Sequence, residues 1–444
     1  MSTTSTGQSG EVTDPLLDKP SYKWYVVGVL VLGYVFNVID RGALGVLVQP
    51  IKAELQISDT AMGLLTGLAF ALFYSVMGVP IARLADRWSR VNVLTLAITL
   101  WTIATALCGT AYNYASLFVF RSFTGVGEAG GSPPSHSLIS DYFPLSKRAT
   151  ALAVYAMSVP IGTSIGSIAS GWGNVYFGWR WTFVMVGLPG LLVALLVKLT
   201  IKEPPRGYSD GQQKKAPAPP FLGVCKFLLS RRSFMHMSLA AALHSVVWYA
   251  GTSWNTAFLM RYHELNSGVA GSYIGVFALI GALGSFTGGF LSDRMSTKKN
   301  DKRWYMWVPG IACVIMVPFT LLAYRSPSMT VVVPAWSIMV VLASMFFGPS
   351  FAVAQSIATV RMRAVAASVL LFIQTIIGLT IGPVLVGAIS DYFAPSVGDA
   401  VSLSYGLMIV GLTNLWAALH YYLGSRTYRD DLAETAKLNV AAAA

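Results

Sequence analysis

Long apolar runs separated by short polar breaks make up most of the chain, and this pattern predicts its elements. A helix that crosses a bilayer needs about 20 mostly apolar residues. Runs of that kind fall at 22–50, 58–84, 91–111, 114–141, 149–173, 180–200, 233–261, 268–292, 304–324, 330–358, 364–392 and 402–424. The expectation is an all-α membrane protein with twelve transmembrane helices. Helix signals agree with the boundaries. Ser58-Asp59 reads as a cap at the start of the second run, and Gly178-Trp179-Arg180 opens the sixth. Apolar residues begin at Trp24, behind a polar tail, and continue too far for the core of a cleavable signal.

The pattern breaks once at length, over 201–232. Glu203-Pro204-Pro205-Arg206-Gly207 and Lys214-Lys215-Ala216-Pro217-Ala218-Pro219-Pro220 have linker composition. From Phe221 to Arg232 the sequence predicts a short basic amphipathic helix on the inner leaflet. The organisation expected is a tail at 1–21, a six-helix bundle at 22–200, a linker at 201–232, a second bundle at 233–425 and a tail at 426–444. The end of the chain, from Asp430, reads as polar and unstructured. An internal repeat supports two pseudo-symmetric halves. Leu84-Ala85-Asp86-Arg87 follows the second run, and Leu291-Ser292-Asp293-Arg294 follows the eighth, 207 residues later. Arg148 and Arg363, at the openings of the fifth and eleventh runs, are 215 residues apart. Repeats of this type build two bundles that rock around a central site.

Composition narrows the class. The chain is 55% hydrophobic and 11% charged, where a soluble domain is nearer a quarter charged. The net charge of +12 could point to nucleic acid, but its placement argues otherwise. With both termini in the cytoplasm, 25 of the 31 Lys and Arg residues fall on that side. Only Lys52, Arg180, Arg261 and Arg325 fall on the other side. Cytoplasmic loops collect cations in this way. The orientation is thus expected with both termini inside, in a bacterial inner membrane, and no nucleic-acid partner is needed. Cys108, Cys225 and Cys313 are odd in number, and two lie in apolar runs, so neither a disulfide framework nor a metal site is expected.

Four ionisable residues fall deep within spans: Asp40, Arg41, Arg121 and Glu128. Charges at that depth are costly and mark a functional path or a buried pair. Arg121 and Glu128 are seven apart, on one helical face about two turns apart. Two readings stand for this cluster. It is either a neutral set that holds the first and fourth helices together, or a working site. In the second reading Asp40 or Glu128 takes and releases a proton, and Arg121 holds the anionic head of a ligand, with Arg41 as its partner or switch.

Motifs then identify a family. Ala82-Arg83-Leu84-Ala85-Asp86-Arg87-Trp88-Ser89-Arg90 resembles the signature loop between helices two and three of the major facilitator superfamily, with Ala82 and Ser89 in place of two usual glycines. Arg121-Ser-Phe-Thr-Gly125-Val-Gly127-Glu128-Ala129 and Gly178-Trp179-Arg180-Trp181-Thr182-Phe183 resemble further motifs of that superfamily. A narrower resemblance is to the Spinster family of lipid transporters. It rests on Asn37-Val-Ile-Asp40-Arg41, on Arg121 through Ala129, on Leu138-Ile-Ser-Asp141-Tyr-Phe143, on Val159-Pro160-Ile161-Gly162 and on Trp254. Asn37, Tyr249, Trp254 and Asn255 are candidates to line a cavity. Asp86 and Asp293 are either solvated loop charges or latches. As latches they would face the N-terminal ends of the eleventh and fifth helices, where dipole and free amides favour a carboxylate. The latch set is Asp86, Arg87, Arg90, Arg148, Asp293, Arg294 and Arg363, and its contacts would cross the halves only with the cytoplasmic side closed.

These observations imply a secondary transporter, not an enzyme. The sequence has no phosphate loop, nucleophile elbow or dual-His metal spacing. No cofactor is expected, and a proton gradient is the expected driving force. The Spinster resemblance implies an amphipathic anionic lipid as cargo, of lysophospholipid or sphingoid-phosphate type. The expected partners are the bilayer, that substrate and protons, with a monomer as the working unit. The rival readings are a proton-coupled carrier of a small organic anion or drug, a passive channel and a membrane enzyme.

Overall fold

The computed structural model describes residues 15–210, 220–359 and 362–441. Among the described residues, nine helical stretches are long and apolar enough to cross a membrane. One of them, Leu145–Thr200, crosses twice, because the chain reverses at Gly178 with φ of 75°. Two more crossings, Tyr114–Tyr142 and Arg232–Tyr262, carry more polar side chains. The total is twelve spans, placed where the apolar runs predict them. Gly178 turns the chain between spans five and six, and Gly398, with φ of 80°, does so between spans eleven and twelve. Only glycine reaches that backbone region cheaply, and the two turns occupy equivalent places in the two halves.

Local chemistry sets the helix starts. Ser58 Oγ accepts from Ala61 N at 3.1 Å, and Ser89 Oγ accepts from Asn92 N at 3.2 Å. Asn113 and Ser116 cap each other reciprocally ahead of span four. Spans four and ten are each broken midway. Span four consists of Tyr114–Glu128 and Ser132–Tyr142, with Gly130 and Gly131 in the break. Span ten consists of Met329–Ser344 and Phe347–Ile357.

The two bundles meet on the face opposite the linker, here called the far face. Close backbone approaches occur there, and glycines permit them. A Cβ at Gly45 would lie 2.6 Å from Thr252 O, and one at Gly275 would lie 2.8 Å from Ser164 O. Gly63 abuts Pro383, Gly171 abuts Ser267 and Gly387 abuts Asp59. These contacts join span one to seven, two to eleven and five to eight. All lie in the far half of the molecule. Toward the linker face the second and eighth spans leave Val76, Leu84, Phe286 and Phe290 exposed. The molecule is therefore closed at the far face, while the charged residues Asp86, Arg87, Asp293, Arg294 and Arg363 at the linker face stay exposed.

The segment after span six is stitched to the first bundle. Tyr142 Oη donates to Lys202 O at 2.5 Å, Arg90 donates to Pro204 O at 2.6 Å, and Gly207 N donates to Asp141 Oδ1 at 3.0 Å. The linker stretch at 211–219 lies outside the described residues. Phe221–Leu229 is helical, with Val224 and Leu228 buried and Phe221 and Leu222 exposed.

One expectation is corrected. The chain from Asp430 does not fray but continues the helix Thr413–Ala441. Long-range bonds hold it. Asp431 accepts from Ser233 N at 3.0 Å, Glu434 pairs with Arg231, and Thr435 Oγ1 donates to Ile357 O at 2.7 Å. Asp431 so caps the N-terminus of span seven, which has no side-chain cap of its own.

Candidate functional site

The deep charges of spans one and four converge. Asp40 and Arg41 project from the middle of span one, and Glu128 is the last residue before the break in span four. The break at Gly130 and Gly131 lets this turn lie against Trp101 and Ala97 of span three. Arg41 Nε donates to Glu128 Oε2 at 2.9 Å, and a second guanidinium nitrogen lies 2.8 Å from the same oxygen. The guanidinium also stands over the rings of Phe70 and Tyr74, at 4.9 and 5.2 Å from their centroids. It further contacts Asn37 Oδ1 at 3.4 Å.

The two arginines have different surroundings. Arg121 is only 3% exposed and donates to the backbone carbonyls of Asp40 and Arg41, at 3.5 and 3.1 Å. It also stands 5.0 Å from the centroid of Phe70. The side chain of Arg41 is 29% exposed and is surrounded by Tyr34, Tyr74 and Tyr249. Arg41 thus keeps part of its surface exposed, while Arg121 braces the backbone behind it.

Neither carboxylate oxygen of Asp40 has a hydrogen-bond partner, and the residue is fully buried. Its neighbours are Glu128, Arg121 and the hydroxyl of Thr105. Glu128 Oε1 and Asn37 Nδ2 are also without partners. Unpartnered polar atoms at this depth are expensive. Atoms so placed can take a proton, a water or a ligand.

The second bundle contributes Tyr249, which packs with Leu379 against Phe70, Ala71 and Tyr74 across the bundle interface. Two other cavity candidates have structural surroundings. Trp254 is fully buried and donates from Nε1 to Pro383 O at 2.9 Å, so it packs inside the second bundle and does not line the cavity. Asn255 Oδ1 accepts from Tyr324 Oη at 2.7 Å, which ties span seven to span nine. His244 is likewise satisfied, with Asn414 Oδ1 and Ala343 O each 2.8 Å from a ring nitrogen.

At the linker face Asp86, Arg87, Asp293, Arg294 and Arg363 are exposed. Asp293 accepts from Tyr305 Oη at 2.5 Å, within its own bundle. Arg90 is buried against Asp141, Glu203, Ser137 and Pro204, and Arg148 donates to Ser140 O at 2.6 Å. Burial would push the Glu203 carboxyl up, but bonds from Val91 N, Arg90 and Ser89 hold it below the usual range.

Sequence reasoning missed a second polar cluster, at the far face. It holds Gln49, Lys52, Asp59 and Thr60 of the first bundle with Arg261, Ser390, Asp391 and Asp399 of the second. Two of the four cations assigned to that side, Lys52 and Arg261, lie next to acids at span ends. That scarcity was the available signal.

The comparisons with known proteins fit this geometry. The sequence model of the Major Facilitator Superfamily matches residues 30–383. An MFS-type efflux pump of Mycolicibacterium smegmatis is 31% identical over 94% of this chain and 96% of its own. The sphingosine-1-phosphate transporter SPNS2 of Danio rerio is 25% identical over 92% of this chain and 85% of its own. A solved bacterial homolog of the human lysosomal transporter Spinster, inward-facing and unoccupied, superposes with a TM-score of 0.85. It is 33% identical, and the match covers 93% of this chain and 99% of that one.

Proposed function

The chain belongs to the Major Facilitator Superfamily, and on that premise we propose a proton-coupled transporter of an amphipathic anionic lipid. The cargo class is a lysophospholipid or a sphingoid phosphate, moved by alternating access. Similarity to a Spinster homolog, to a sphingosine-1-phosphate transporter and to an efflux pump supports transport of cargo of this kind. The one observation that carries the reading further is the Arg41–Glu128 pair, with Arg41 partly exposed beside the rings of Phe70, Tyr74 and Tyr249. A planar guanidinium holds two oxygens of a phosphate or carboxylate, and the rings offer the apolar wall that an acyl chain needs.

The coupling follows from charge balance. Arg41, Arg121, Asp40 and Glu128 sum to zero when all are ionised. An incoming anion competes with Glu128 for Arg41. The displaced carboxylate leaves the pocket one negative charge in excess, and a proton taken by Glu128 or Asp40 restores neutrality. When the ligand departs, the proton leaves and the Arg41–Glu128 pair re-forms. Anion entry and proton uptake are then one event in one pocket. The distribution of Lys and Arg supports termini and linker on the cytoplasmic side of a bacterial plasma membrane, with a monomer as the unit.

Flux in proteoliposomes tests this. Lysophospholipids and sphingoid phosphates, short organic anions and neutral amphiphiles are each offered with and without a pH gradient. The reading expects gradient-stimulated flux of the long anionic amphiphiles. Flux of short organic anions alone would overturn the lipid assignment.

A further inference from the structure

The far-face cluster is unlike the other seams between the bundles. Asp59 opens span two and is almost fully buried. Arg261, near the end of span seven, grips it with two nitrogens at 2.7 and 2.8 Å. Lys52 adds a contact at 2.9 Å, and Ser390 Oγ donates to the same carboxylate at 2.7 Å. Arg261 Nε also donates to Gln49 Oε1 at 2.6 Å. One turn of span eleven supplies the counterpart. Asp391 accepts from Asp59 N at 2.9 Å, Thr60 N at 2.8 Å and Thr60 Oγ1 at 2.6 Å. A carboxylate from one bundle therefore caps the helix N-terminus of the other, where free amides and the dipole favour it. Lys52 reaches Asp399 of the second bundle at 3.4 Å.

The equivalent seam, between spans five and eight, is neutral. Asn174 Nδ2 donates to Ser267 Oγ at 2.9 Å, and Ser267 Oγ donates to Gly171 O at 2.9 Å. Trp172 Nε1 donates to Ser272 Oγ at 3.1 Å. Gly171, Gly271 and Gly275 bring these backbones together. Small residues and neutral bonds can slide or re-form. A forked ion pair buried from solvent cannot shift by part of a turn without leaving charges unpaired.

We propose that Asp59, Arg261 and Asp391 form the far-face gate: an ionic clasp that must break for the cavity to open on that side, while the neutral seam of spans five and eight parts with it at little cost. The assignment holds for any cargo and does not depend on proton coupling. Far-face opening is therefore limited by the clasp. Weakening it raises the far-open population, and weakening the neutral seam does not.

Distance measurements between spin labels at Tyr112 and Ser328, both exposed on far-face loops of opposite bundles, test it. Cys108, Cys225 and Cys313 are replaced by alanine, and the full-length protein is held in lipid nanodiscs. Arg261→Gln and Asp391→Asn each raise the ratio of long to short distances by roughly ten-fold or more, the scale of breaking a shielded ion pair. Arg261→Lys, which keeps the charge and loses the fork, gives a smaller rise and guards against misfolding of the neutral variants. Asn174→Ala leaves the ratio within about two-fold, as loss of one neutral bond shared with water would. Unchanged distributions in Arg261→Lys and in whichever neutral variants remain monodisperse would overturn the gate. Opening by Asn174→Ala equal to that by Asp391→Asn would overturn the asymmetry.

Discussion

Arg41 and Arg121 share a sequence rationale but not a role. A guanidinium in a bilayer core costs several kcal/mol unless paired. Arg121 meets that cost with two backbone carbonyls and the face of Phe70. Arg41 meets it with Glu128 and two rings, and keeps part of its surface exposed. On the proposed function, headgroup recognition therefore falls to Arg41. Arg41→Lys is expected to weaken an anionic ligand about ten-fold or more, because one ammonium cannot hold two oxygens as a fork does. A neutral analogue of equal length should lose far less, and parallel calorimetric titrations compare the two. Depth in the span made all four charges legible in the sequence. The expectation that Arg121 meets the ligand is corrected, since Arg41 is the exposed one of the two; that choice depends on the rotation of span one against span four and on the break at Gly130, which the sequence does not give. Trp254 was misjudged for the same reason: its neighbour across the helix interface, Pro383, lies more than a hundred residues away in sequence.

Among the elements, terminal segments carry more structure than their polarity implies. The helix beyond Asp430 has little apolar periodicity, so its order comes from side chains on other spans. Asp431 is its main attachment. Asp431→Ala leaves Ser233 N without a partner, which costs roughly 1–3 kcal/mol for a buried amide. The expected result is a fall in melting temperature of a few degrees in detergent, with transport retained. Asp301, between spans eight and nine, closes a similar junction. Burial would push its carboxyl up, but Arg303 and Arg429 pull it down to about 2. A carboxyl lowered in the folded state stabilises above its ordinary value and loses that contribution as pH falls toward 2. Melting temperature of the wild type should thus drop across roughly pH 4 to 2. Asp301→Asn should be less stable at neutral pH and flatter across that window. Parallel slopes for the two proteins would remove Asp301 from the account. Helix spans and caps were readable because apolar length and N-cap chemistry are local. The anchoring of the last helix was not, because each of its partners is distant in sequence.

In the whole molecule, the far face is clasped, and the linker face leaves its charged loop residues exposed. The linker-face latch has no cross-bundle bond at Asp293 in this state, since that carboxylate is engaged by Tyr305 of its own bundle. If Asp86 reaches the N-terminus of span eleven only when that face closes, Asp86→Asn favours the state seen here. One charge-to-helix-end contact is worth about 0.3–1 kcal/mol, so the shift should be several-fold at most. Spin-label distances across the linker-face mouth would register it, and an unaltered distribution would reject the latch. The central claim is that an anionic ligand displaces Glu128 from Arg41 and brings a proton with it. Calorimetric titration of a lysophospholipid in buffers of different ionisation enthalpy measures that proton directly. The account predicts uptake of about one proton per ligand in the wild type near neutral pH, and its loss in Glu128→Gln while binding persists. Binding with no proton uptake in the wild type, or equal uptake in Glu128→Gln, would contradict it.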